Sequence, residues 1–123
     1  MEHVSIKEII NYDIEAQEAD VLISDGQFEI LCYAQPYLPE TFKAPDHALS
    51  AFMTENVLRV SENEYRIKRL QNGYYSYRLQ GKLIDLQKRL VMIGAIVIKI
   101  ENVIPKDIRE GDFIEFTVMR LDL

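Results

Sequence analysis

The chain has 123 residues, of which 48% are hydrophobic and 28% charged, and it carries a formal net charge of −6. That composition excludes disordered and fibrous classes, and the length suffices for one core that buries roughly two thirds of the unfolded surface. The net negative charge works against long-range attraction to nucleic acid or anionic membranes, and no apolar run approaches the roughly 18 uncharged residues of a membrane span. Met1-Glu2-His3-Val4-Ser5 lacks the basic segment and apolar run of a leader, so a single cytoplasmic domain over residues 1–123 is expected.

Charge is unevenly placed. Residues 1–58 carry two bases, Lys7 and Lys43, against eleven acids, whereas residues 59–89 carry eight bases against Glu62, Glu64 and Asp85. Screening acts over roughly 8 Å at physiological salt, so a basic face in the second segment can act locally despite the overall charge.

Ser5-Ile6-Lys7-Glu8 has the form of a capping box and predicts a helical turn before the first strand. The alternation Tyr12, Ile14, Ala16 then slips phase and resumes as Ala19, Val21, Ile23, which predicts a β-bulge near Gln17 or Glu18. Ser24-Asp25-Gly26-Gln27 is a two-residue hairpin signal between alternating runs. In that register Ile23 faces Phe28, Val21 faces Ile30 and Ala19 faces Cys32, which gathers one apolar face. Cys32, the only cysteine, reads as a small core residue, compatible with a reducing compartment.

Pro36 and Pro39 end the second strand. Pro45 with Leu49, Phe52 and Met53 at helical spacing predicts a short helix over residues 45–54. Runs rich in β-branched and aromatic residues follow at 57–60, 65–70, 74–86, 90–100 and 113–121, with a turn-rich link at 105–112 in which a helical turn stopped by Gly111 is expected. Both faces of 83–86 and 90–100 are apolar, as in strands at the centre of a closed or two-layered sheet. The expected class is therefore all-β, a small antiparallel β-barrel with one or two short helices. In pattern, carried by Ser24-Asp25-Gly26 and Glu110-Gly111-Asp112-Phe113-Ile114, it resembles an oligonucleotide/oligosaccharide-binding (OB) barrel, although its helix comes earlier than in that order.

One constellation has chemical content. With Gln71-Asn72-Gly73 as a three-residue loop and Gly73 left-handed, Arg66, Lys68, Tyr74, Ser76, Arg78 and Gln80 share a strand face, with Arg66 opposite Arg78. Like charges in register cost a few tenths to about 1 kcal/mol unless an anion lies between them. Arg66, Lys68, Tyr74, Arg78 and Lys82 are therefore the candidate binding residues, for carboxylates of a protein partner or for the phosphates and bases of a single strand. The bland reading is a solvated strand pair whose basic side chains bridge to Glu62, Glu64 or the acidic N-terminal half.

No motif for a catalytic nucleophile, phosphate loop or metal site occurs, so no catalytic residue, metal or cofactor is assigned. His3 and His47 read as exposed, and the acidic pairs Asp13/Glu15 and Glu18/Asp20 as solvated edges. Phe28, Phe52, Phe113 and Phe116 read as core, and Tyr33 and Tyr37 as exposed contacts. The leading expectation is a non-enzymatic binding module that uses a protein partner, selected by the acidic N-terminal half to be basic. Single-stranded nucleic-acid binding is the alternative; no membrane is expected, and edge strands leave a homodimer open.

Overall fold

The computed structural model describes residues 3–123 and contains nine strands and, among those residues, no helix. They are β1 (Ser5–Asp13), β2 (Glu18–Ser24), β3 (Glu29–Ala34), β4 (Leu49–Val60), β5 (Arg66–Arg69), β6 (Tyr77–Asp85), β7 (Leu90–Ile93), β8 (Ile96–Lys99) and β9 (Phe113–Asp122). All join one hydrogen-bonded sheet in the order β1-β2-β3-β9-β4-β8-β7-β6-β5. An additional β6–β9 pairing closes β9, β4, β8, β7 and β6 into a five-stranded barrel. Four junctions of this ring are antiparallel, and the β4–β8 junction, Leu49 beside Ile98, is parallel. The β1-β2-β3 meander joins β9 where Tyr33 pairs with Asp122, and β5 flanks β6.

The alternating residues build the core. Val21, Ile23, Ile30, Cys32, Leu79, Leu83, Ile96, Ile98, Ile114 and Phe116 are fully buried. Gly81 explains how the barrel closes at β6–β7, because a Cβ there would stand 2.5 Å from the Met92 carbonyl oxygen and 2.7 Å from Ile93. Only a residue without a side chain lets the two strands approach that closely. The apolar run 90–100 is two strands, β7 and β8, joined at Gly94, whose φ of 58° makes the turn.

Several expectations are corrected. Ser5–Asp13 is strand, not a capped helical turn, because Ile6, Ile9 and Ile10 pair with Ile23, Val21 and Asp20 of β2. The phase slip before Ala19 is the β1–β2 turn itself, with Gln17 at φ 54°, and the register shifts fall within β1, beside Lys7 and Asn11. The short helix at 45–54 is absent: residues 45–48 are irregular and Leu49 opens β4. Leu49 and Ala51 point inward while Ser50 and Phe52 point out, and pairing with β8 and β9 overrides the helical spacing. Phe52, expected in the core, is 45% exposed, whereas Tyr37, expected at the surface, is buried between the rings of Tyr12 and Phe42.

Both predicted hairpins form, and both are two residues out of register. Ile23 faces Ile30 and Val21 faces Cys32, so Asp25–Phe28 is a four-residue loop. Likewise Arg66 faces Gln80, and Lys68 rather than Arg66 lies opposite Arg78. Gly73 is not among the left-handed residues. A shift of two preserves which side chains of the paired strands share a face, so Arg66, Lys68, Arg78 and Gln80 stay together, whereas Tyr74 and Ser76, expected on that face, fall in the β5–β6 loop.

Candidate binding surfaces

The basic candidates divide between separate places. On β5 and β6 the side chains of Arg66, Lys68, Arg78 and Gln80 with Glu115 border one shallow hollow. Arg66 is exposed and bridges Glu62 at 2.6 Å and Glu64 at 2.8 Å. Arg78 is half-buried and donates to Glu115 at 2.5 Å, to the Thr117 hydroxyl at 2.9 Å and to the Asn56 carbonyl at 3.2 Å. Gln80, which is buried, ties the carbonyls of Glu62 and Glu64 to β6. The like-charge encounter of Lys68 with Arg78 is thus relieved from within the chain by Glu115. Lys82 lies further along β6, half-buried, opposite Met92 and Phe113.

Tyr74 lies apart from these four, in the loop between β5 and β6. Its hydroxyl accepts from Asn11 Nδ2 at 3.1 Å, and its ring lies edge-on to Tyr75 with centroids 4.7 Å apart. Tyr33, Tyr74, Tyr75, Asn11, Glu18 and Asp20 line an open cleft of about 330 Å³. Glu18 and Asp20 alternate along β2, so both carboxylates reach the same side. The Tyr33 hydroxyl donates to Glu18, and the Tyr75 hydroxyl donates to Asp20 Oδ1 at 2.5 Å. Both phenols are held above their ordinary range, Tyr33 by its bond to Glu18 ahead of burial, Tyr75 by burial ahead of its bond to Asp20. Nothing in the one-dimensional pattern linked β2, β3 and the 74–75 loop; the acidic pair Glu18/Asp20 and Tyr33 were visible only as separate features.

A third surface lies at the β1–β2 turn. Tyr12, Ile14 and Leu38 are 43%, 73% and 42% exposed and, with Pro39, line an open groove of about 520 Å³. The Asp13 carboxylate holds the turn by accepting the Glu15 and Ala16 N–H groups at 3.0 and 3.1 Å, which aims Ile14 outward. Glu40 also lines the groove, and Asp13 and Glu15, both exposed, flank Ile14 in the chain. His47 lies elsewhere, exposed beside Asp46 at 3.3 Å.

The chain matches no family model, no curated protein and no solved structure.

Proposed function

We propose that this chain is a non-catalytic β-barrel module that binds a basic protein partner through the groove at the β1–β2 turn. The observation that carries the reading is Ile14, 73% exposed on an apolar surface with Tyr12 and Leu38, with Glu40 in the same lining and the exposed Asp13 and Glu15 on either side of it in the chain. Apolar surface with a charged rim is the anatomy of a protein interface, and the rim selects the sign of the partner. A reducing cytoplasm suits the single buried thiol of Cys32. The test is crosslinking in cell extract with the wild-type chain and with Ile14→Glu/Leu38→Glu as baits, after confirming equal melting temperatures. A basic protein captured by the wild type, released by salt and missed by the variant is the expected result. Equal capture by both baits, an acidic partner or no specific capture rejects the reading.

The alternative, an OB-like barrel that binds single-stranded nucleic acid, draws on Lys68 and Lys82, which pair with no carboxylate among the described residues. Against it, Arg66 and Arg78 must leave Glu62, Glu64 and Glu115 to meet a phosphate, and Tyr74 stands away from them. Anisotropy of a labelled oligonucleotide at low and physiological salt decides it: salt-sensitive binding lost in Lys68→Glu/Lys82→Glu supports this reading, and no binding at low salt removes it.

A further inference from the structure

The tyrosine cleft has a composition that neither reading above uses. Asp20 is only 4% exposed, yet the described residues give its carboxylate two neutral donors, Tyr75 Oη at 2.5 Å and Asn11 Nδ2 at 2.9 Å. Glu18, two residues along the same strand, receives the Tyr33 hydroxyl. No described lysine or arginine lies within ion-pairing distance of either carboxylate. Buried carboxylates are ordinarily matched by a cation, because a neutral donor returns only part of the hydration lost.

The two guanidiniums that stack on the cleft's tyrosines are committed elsewhere. Arg120 pairs with Asp122 at 2.6 Å and lies 4.5 Å over the Tyr33 ring, reaching it from β9, the side opposite to β2. Arg69 lies 5.1 Å over the Tyr74 ring and donates to the Tyr74 carbonyl. Neither neutralises Glu18 or Asp20. Tyr33 and Tyr74 each stand edge-on to Tyr75, with centroids 6.0 and 4.7 Å apart. The three tyrosines line the cleft beside two carboxylates that have no cationic partner among the described residues, a combination of aromatic wall and counter-charge that suits an alkylated ammonium.

We infer that this cleft binds an organic ammonium, with Tyr33, Tyr74 and Tyr75 as the wall and Asp20 and Glu18 as the counter-charge. The volume, about 330 Å³, is at the small end of ligand sites and suits a head group rather than a whole cofactor. A hydrated metal ion is a poor match, since three of the seven lining residues are tyrosines and only two carboxylates line the cleft, too few oxygens for a hard cation. The ammonium comes from one of two sources, a free alkylamine or a lysine side chain of a polypeptide. This inference stands independently of the groove at the β1–β2 turn, which lies on other residues.

The experiment is an amide NMR titration of the full chain with choline, with its neutral isostere 3,3-dimethyl-1-butanol, and with a short lysine peptide beside its acetyl-lysine counterpart. Saturable shifts confined to Glu18–Asp20 and Tyr74–Tyr75, produced by the cations and not by the neutral partners, are expected. The tighter of choline and lysine peptide identifies the source. Tyr74→Ala weakens binding about two- to fivefold, the value of one exposed cation–π contact. Asp20→Asn weakens it about tenfold or more, as for loss of a charge-assisted contact. Tyr74 is 51% exposed, so its variant keeps the fold and carries the test should Asp20→Asn not fold. Equal shifts from the neutral isosteres, no saturable shift with either cation, or unchanged affinity in Tyr74→Ala overturns the inference.

Discussion

Asp25 is the single side chain whose loss should most clearly expose how the meander is fastened to the barrel. Its Oδ1 accepts the N–H groups of Gln27 at 2.9 Å and Phe28 at 2.7 Å, closing the β2–β3 loop. Its Oδ2 accepts the Ala95 N–H at 2.8 Å, in the β7–β8 turn seventy residues away in sequence. Gly94 permits this approach, because a Cβ there would lie 2.3 Å from Asp25 Oδ2 and 2.7 Å from Phe28. Hydrogen bonds to a charged acceptor contribute about 1.5–3 kcal/mol each when buried. Solvent at the loop and rehydration of the freed N–H groups reduce this, so Asp25→Ala should cost about 2–3 kcal/mol in all, or roughly 6–12 °C of melting temperature for a chain of this size. Asp25→Asn, which keeps an acceptor but loses the charge, should cost about half as much.

The same site predicts a pH dependence. Desolvation raises the Asp25 carboxyl, but the N–H bonds from Ala95, Phe28 and Gln27 outweigh it, and its pKa lies below the ordinary carboxylate value of 3.8. A carboxylate depressed in the folded state stabilises fully above its unfolded pKa, and that contribution fades as pH falls through the folded one. The difference between wild type and Asp25→Ala in urea unfolding should therefore be full at neutral pH and shrink below the carboxylate range. A change under about 0.5 kcal/mol at neutral pH, within the usual range of surface substitutions, or a pH-independent difference, would refute the reasoning.

Two further outcomes follow from the basic face and the core. Arg78→Gln should cost about 1–3 kcal/mol in thermal or urea unfolding, since it frees half-buried Glu115 and Thr117, while Arg66→Gln, at the exposed surface, should leave the melting temperature unchanged. Equal effects would mean that Glu115 does not hold Arg78 as described. Burial, with the nearby Asp122 charge, pushes the Cys32 thiol well above its ordinary range, so it should resist a disulfide reagent at neutral pH in the folded chain and react in denaturant. Fast reaction in the native state would place Cys32 at the surface.

What was legible in the sequence was whatever depends on a period of two. Val21, Ile23, Ile30 and Cys32 were assigned to one buried face, and Arg66, Lys68, Arg78 and Gln80 to one basic face, although both hairpins were read two residues out of register. The helical spacing of Leu49, Phe52 and Met53 misled because the alternation of Leu49 and Ala51 was the signal that counted, and only pairing with Ile98 and Leu121 distinguishes the two. For the candidate site, the pairing of Arg66 with Glu62 and Glu64 was within reach as the bland reading, since these partners are two and four residues away. Glu115, thirty-seven residues from Arg78, was not.

By itself, then, the sequence determined an all-β chain, its inward and outward faces and most of its core, because side-chain alternation is a local property of extended backbone. Tertiary structure alone decided the loop lengths, the closure of β6 on β9 and of β4 on β8, and the meeting of Tyr33, Tyr74 and Tyr75 around Glu18 and Asp20. Each of these depends on which distant N–H, carboxylate or ring satisfies a group exposed by a strand's end. That partner is set by where the sheet curls in space, at separations along the chain over which no periodic pattern persists.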